Sequence, residues 1–368
     1  MKLKDFAIIN MGQSPKGETY NAEHKGMPFL QGRKTFGRLY PTIDTWTTSP
    51  IKIAKNGEIL MSVRAPVGDL NFSNQDICIG RGLCSISAKN GRNKYLYYVL
   101  LNNMEKINQN STGTIFSSIN KNDLENLEID FHSDKTQRKI EKILYDIDSK
   151  IELNNEINNN LYELMKNKFD NFIDNLDRYE ESVLSKIANY KNGLAMQKYR
   201  PINELGLPVI KIREMNSGIS TETERCRSDI DDEVIINNGD VLFAWSGTLC
   251  MSIWCGGKAG LNQHIFKVTS DKYPKWFYYF WTLKHLNKFI EIAAGKATTM
   301  GHIKRTELDK STVKIPSDKS LEEADKIFTP LLNKYINNNV ENRNLIQLRD
   351  TLLPKLMNGE IDLDNIEI

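Results

Sequence analysis

The side chains best able to do covalent chemistry are few and stand apart. Five cysteines (Cys78, Cys84, Cys226, Cys250 and Cys255) form no Cys-x-x-Cys pair, and five histidines are scattered singly. That pattern offers no zinc cluster and no disulfide framework, and it fits a reducing compartment. Gly256-Gly257-Lys258-Ala259 lacks the spacing and hydroxyl of a phosphate-binding loop. Asp148-Ser149-Lys150 has the loose acid-x-Lys spacing of nucleases, but no companion carboxylate on a strand, and reads as chance. What remains is hydrogen-bonding chemistry. The candidates are Gln13, Ser14, Lys16, Tyr20, Arg33, Lys34, Arg64, Arg81 and Thr112 in the first half. In the second half they are Lys198, Arg200, Lys211, Arg213, Ser246, Thr248, His264, Lys296, Thr298, Thr299 and Lys304. Arginine and glutamine make paired hydrogen bonds to planar groups, and small polar residues beside a lysine suit close approach to a phosphate. The alternative for each is a turn or a surface ion pair.

The elements that must carry these residues are bounded by composition. The chain has 368 residues, 40% hydrophobic and 26% charged, enough for two or three domains with real cores. No apolar run approaches the ~18–20 residues that cross a bilayer, and the opening Met1-Lys2-Leu3-Lys4-Asp5 has no signal-peptide core, so a cytoplasmic protein is expected. The net charge of +2 conceals a partition: residues 1–130 carry +4, 131–181 carry −4, 182–316 carry +6 and 317–368 carry −4. Basic and acidic segments alternate twice, which points to a chain built twice.

The repeat is visible directly. At an offset of 184, Lys142, Lys150, Asn154, Asn158, Leu161 and Leu164 fall on identical residues at 326, 334, 338, 342, 345 and 348. Asn56-Gly57-Glu58-Ile59-Leu60 matches Asn238-Gly239-Asp240-Val241-Leu242 at 182, and Gly26-Met27-Pro28-Phe29-Leu30 matches Gly206-Leu207-Pro208-Val209-Ile210 at 180. The likeness is weak in the first part of each half and strong in the last ~60 residues. Short apolar runs at Glu58–Val63, Leu83–Ser87, Val241–Trp245 and His264–Val268, set between Gly, Pro and Asn, predict strands. The aromatic-rich stretches Tyr95–Leu101 and Lys275–Leu286 predict helices whose rings pack the core, and Trp245 is also expected to be core.

The well-kept part of each half predicts one long helix. Residues 137–172 contain neither Gly nor Pro. A heptad seam runs through Ile140, Leu144, Ile147, Ile151, Asn154, Asn158, Leu161 and Met165, continuing to Lys168 and Phe172. Its counterpart runs through Ala324, Phe328, Leu331, Tyr335, Asn338, Asn342 and Leu345, continuing to Arg349 and Leu352. The asparagines form a polar middle layer of the kind that specifies a partner. About 36 helical residues span roughly 54 Å. Antiparallel pairing brings asparagine to asparagine, and the short connection after the first helix cannot return the chain along its length. The expected architecture is α+β: two pseudo-twofold-related mixed α/β domains separated by two long antiparallel coiled-coil helices. The expected boundaries are 1–131, 132–181, 182–316 and 317–368. Two divergent basic modules on a rigid spacer fit a reader of two unlike double-stranded DNA half-sites with an unread gap.

A resemblance follows from the motifs. Met11-Gly12-Gln13-Ser14-Pro15, Pro28-Phe29-Leu30-Gln31-Gly32, Ile59–Gly68, Ile79-Gly80-Arg81-Gly82-Leu83 and Gly239–Thr248 resemble the target-recognition domain of type I restriction–modification specificity subunits. Gln137–Asn154 resembles that family's central spacer helix, and Leu352-Leu353-Pro354-Lys355-Leu356-Met357-Asn358-Gly359-Glu360-Ile361 its C-terminal ending. The likeness covers nearly the whole chain, in order, twice. It implies a non-catalytic DNA-reading subunit that docks two adenine methyltransferase subunits through its helices, with restriction subunits able to join. No cofactor is expected in this chain; S-adenosylmethionine, ATP and Mg are implied for the partner subunits. The sequence holds no Asn-Pro-Pro-aromatic or Asp-Pro-Pro-Tyr methylation motif. Arg64 and Arg81 lie in motifs shared by the domain type, so bracing or phosphate contact suits them better than base selection. Pro354 and the seam residue Arg349 depart from the pattern, and Pro354 is expected to end or kink the second helix. Two rival readings are a helical scaffold with no DNA role, and the recognition part of a fused enzyme that binds S-adenosylmethionine.

Overall fold

A computed structural model of the chain describes residues 1–110, 118–202, 205–295 and 301–363. It divides into two compact units: unit 1 is Met1–Glu152 with Leu345–Ile368, and unit 2 is Leu153–Asn344. Two long helices, Asp134–Asp174 and Asp318–Met357, run from one unit into the other. The boundary cuts both helices, so each unit contains a stretch of each helix together with its own globular part.

Both units are built to one topology. In unit 1 an antiparallel sheet has the order Ala7–Met11, Leu83–Ala88, Ile59–Ser62, Leu70–Phe72. In unit 2 the order is Asn189–Asn192, Ile265–Thr269, Val241–Ala244, Cys250–Ile253. Each unit has a second sheet centred on a parallel pair: Met27–Leu30 with Ile77–Ile79, and Leu207–Ile210 with Ala259–Leu261. The central strands are buried on both faces, which is why they read as continuous apolar runs and not as alternation. The aromatic-rich segments are helices, Asn93–Asn102 and Lys275–Ala294, and their rings fill the cores as expected. Trp276 stacks on Phe328 at 4.3 Å, and Phe169 on Phe280 at 5.4 Å, fastening the long helices of unit 2 to its globular part.

The long helices pair antiparallel. In unit 2, Asn154 Nδ2 donates to Asn342 Oδ1 (2.9 Å) and Asn338 Nδ2 donates to Asn158 Oδ1 (2.9 Å). In unit 1, Arg349 Nη1 donates to Asp148 Oδ1 (3.0 Å). The seam residues Ile140, Leu144, Ile151, Asn154, Asn158, Met165, Phe328, Asn338 and Asn342 are buried, while Ile147, Leu161, Leu331, Tyr335 and Leu345 are half-buried. Beyond Met165 the buried residues are Phe169 and Ile173, not Lys168 and Phe172; in the second helix they are Leu332 and Leu353, not Leu331 and Leu352. Phe169, Ile173 and Leu332 belong to one apolar cluster with Trp276 and Phe280, so burial there follows the globular part of unit 2 and not the seam. Pro354 does not stop the second helix where it stands. The helix continues to Met357, and Asn358 N–H still reaches Pro354 O at 2.9 Å.

Candidate nucleic-acid interface

In unit 1 the loop after the first strand, the loop after Leu30 and the turn at residues 80–82 are sewn together by backbone hydrogen bonds. Gly12 N–H donates to Leu83 O, Gln13 N–H to Ile79 O, and Gly80 N–H to Leu30 O, all at 2.8–2.9 Å. Val63 N–H donates to Gly82 O at 2.9 Å, which brings in Arg64. A side-chain carbon on Gly12 would lie 2.2 Å from Gly80 O, so only glycine permits this approach. Ser14 Oγ donates to Gln31 Oε1 (2.9 Å) and accepts from Arg81 N–H (3.1 Å). Gln13, Arg64 and Arg81 are thereby fixed at the backbone with exposed side chains.

Unit 2 repeats the four backbone bonds just named for this framework. Gly193 N–H donates to Ile265 O, Leu194 N–H to Leu261 O, Asn262 N–H to Ile210 O, and Trp245 N–H to His264 O. The side chains on it are replaced throughout. Leu194 stands where unit 1 has Gln13, Lys211 stands for Gln31, Ser246 for Arg64, Gln263 for Arg81 and His264 for Gly82. The shared backbone bonds thus carry unlike side chains, of which Ser246 is buried and Lys211 is paired with Glu224.

The other predicted residues fall in four groups. Lys16, Lys34, Lys198, Arg200, Thr248, His264 and Lys304 are exposed. Tyr20, Arg33, Lys211 and Arg213 are engaged within the protein. The Tyr20 hydroxyl donates to Pro15 O (2.9 Å), Arg33 pairs with Asp69, Lys211 with Glu224 (2.6 Å), and Arg213 with Glu214 (3.0 Å) and Glu222 (3.2 Å). Ser246 is buried, bridged through its backbone to His302. Thr112, Lys296, Thr298 and Thr299 lie outside the described residues. Trp245 is only half-buried. Its Nε1 donates to Asn192 Oδ1 (2.9 Å) and its ring lies 6.0 Å from that of His264. Sequence reasoning passed over Gln31 and Gln263. The offset of 182 already set Gln263 against Arg81, and that was the available signal.

The thiols are unsuited to nucleophilic work: burial pushes Cys84 and Cys255 up to about 12 and about 11, and raises Cys78 and Cys250. Among the described residues no group of three or more His, Cys, Asp or Glu side chains could hold a metal, and no helix is long and apolar enough to cross a membrane.

A twice-used scaffold on a helix pair defines a class, and comparison with known proteins gives it a family. The profile described as "Type I restriction modification DNA specificity domain" matches residues 1–163 and again 177–348. The chain belongs to this family. A protein described as the MjaX type I restriction enzyme specificity subunit of Methanocaldococcus jannaschii is 42% identical over 152 residues, 41% of this chain and 36% of that one. The MjaIX type I restriction enzyme specificity subunit of the same organism is 26% identical over 357 residues, covering 86% of this chain and 80% of that one. The fold matches the crystal structure of a type I restriction-modification S subunit from M. genitalium, with a TM-score of 0.65 at 17% identity, over 97% of this chain and 95% of that one.

Proposed function

We propose that this chain reads an asymmetric, bipartite double-stranded DNA target, one half-site per unit, through residues 1–131 and 182–316. The segments 132–181 and 317–368 set the unread gap and dock adenine methyltransferase subunits, to which restriction subunits can be added. The chain itself is non-catalytic and works in the cytoplasm. S-adenosylmethionine, ATP and Mg belong to its partners. One observation carries this reading: the backbone hydrogen bonds that hold Gln13 and the residue before Arg64 in unit 1 recur in unit 2 at Leu194 and before Ser246, with Lys211 and Gln263 standing where unit 1 has Gln31 and Arg81. A duplicated enzyme core would be expected to keep its reactive side chains alike. A duplicated reader with unlike half-sites would keep the frame and change the tips, because base readout depends on donor and acceptor identity. Exposed Lys34 and Lys304 then serve the phosphates. Modified-base sequencing of DNA from cells carrying this chain with its methyltransferase tests the reading. The expected result is methylated adenine in a motif of two different short sequences separated by unspecified bases. A continuous or palindromic motif would contradict it.

A further inference from the structure

The internal repeat allows one unit to serve as a template for the other. In unit 1 the second long helix ends at Met357 and Gly359 adopts a φ of +70°, so the chain reverses, with Glu360 N–H donating to Lys355 O at 2.9 Å. Ile361 then packs on the core and Leu363 is buried, its carbonyl accepting a hydrogen bond from Lys139 Nζ at 2.5 Å. The returning tail joins the same apolar cluster as Ile140, Ile143 and Leu356.

The offset of 184 residues, taken in either direction, gives the same place in unit 2. Ala324, Ile327 and Phe172 stand for Ile140, Ile143 and Leu356, and Asn175 stands for Gly359. Asn175 has no positive φ, and the chain does not reverse. It runs on to the strand Glu180–Val183, which pairs with Thr312–Ile315. Among the described residues no tail returns at this place in unit 2, and Ile327 is exposed where Ile143 is half-buried, while Ala324 stays buried like Ile140. The result is a groove of about 880 Å³ bordered by Phe172, Leu176, Ile327 and Phe328, with Ile327 49% exposed. Glu323, also on its rim, replaces Lys139, so an acceptor stands where unit 1 has a donor.

We infer that this groove docks an extended segment of a protein partner bearing two aliphatic side chains at alternate positions, the spacing of Ile361 and Leu363. The aliphatic pair covers Ile327 and Phe172, as the tail covers their counterparts, and Glu323 accepts a backbone N–H of the segment. The inference stands on the internal repeat and does not depend on how DNA is read.

The probe is a fluorescent peptide with the sequence of residues 358–363, titrated onto the full chain and followed by anisotropy. Binding is expected, with affinity falling at least about tenfold when Ile361 and Leu363 of the peptide are both serine, and equally on the I327E chain. Because Ile327 is half exposed, I327E should keep the wild-type circular dichroism spectrum, and the milder I327S variant gives a second reading. Equal binding by wild type, I327E and I327S, or no saturable binding, overturns the proposal. Concentration-dependent dimerisation of the free chain that I327E abolishes also overturns it, by giving the groove to a second copy.

Discussion

Asp148 shows how one residue can be misread in isolation and explained by its neighbours. It is fully buried in unit 1, where Arg349 Nη1 (3.0 Å), the Tyr98 hydroxyl (2.6 Å) and Arg38 donate to its carboxylate. Its nuclease-like spacing is incidental, and Arg349, the charged residue that disturbs the seam, is its partner. Desolvation, followed by the Asp148 charge, raises Tyr98 far above the usual phenol range, so this hydroxyl stays a donor. Asp148→Ala removes the carboxylate that two guanidinium groups share, leaving Arg349 to Asp350 and Arg38 to the more distant Glu152. Each guanidinium is about a fifth exposed, and solvent moderates the cost to about 3 kcal/mol. Urea denaturation should show that loss, and an unchanged midpoint would contradict the role. Two histidines add a pH dependence. Burial holds His132 in unit 1 and His285 in unit 2 below the ordinary 6.5. A lowered folded value means that the unfolded chain protonates first as pH falls. Stability is therefore full above about pH 6.5 and declines below it. Replacing both histidines with glutamine should flatten the decline between pH 7.5 and 5.5; an unaltered profile would remove them as its source.

At the scale of elements, the asparagine layer is the feature most plainly legible in sequence, because heptad spacing and the repeat independently place Asn154 and Asn158 against Asn338 and Asn342. Asn158→Leu should destabilise the chain by about 1–3 kcal/mol, since Asn338 loses its buried acceptor. Adding Asn338→Leu should recover much of that loss, and additivity of the two in a double-mutant cycle would show that the pair is not coupled. Less was legible where physics outside the local pattern decides. The shift from Lys168 and Phe172 to Phe169 and Ile173 follows from packing on Trp276 and Phe280, which lie far away in sequence. The Asp148 cluster needs Arg38 and Tyr98, which lie far away in sequence. The interface frame rests on backbone hydrogen bonds that side-chain types do not reveal. Sequence reading therefore names Gln13 and Arg81 as separate DNA-contact candidates, and only the structure brings them together in one loop cluster with Gln31.

For the molecule as a whole, the repeated topology, the family match in both halves and the alternation of basic and acidic segments agree on a specificity subunit built twice. If the exposed lysines serve phosphate, Lys304→Ala should weaken binding on all duplexes alike and lower the slope of log affinity against log salt by about one. A loss confined to one sequence would assign Lys304 to base readout instead. Exchanging the loops at 12–16 and 80–82 should alter only one half-site, since unit 2 has its own frame. The central claim is met most directly by footprinting the chain with its methyltransferase partner on the target found by sequencing. Two separated protected patches of unlike sequence, flanking an accessible gap, are predicted. A single continuous footprint, or protection that persists on duplexes lacking either half-site, would contradict the account.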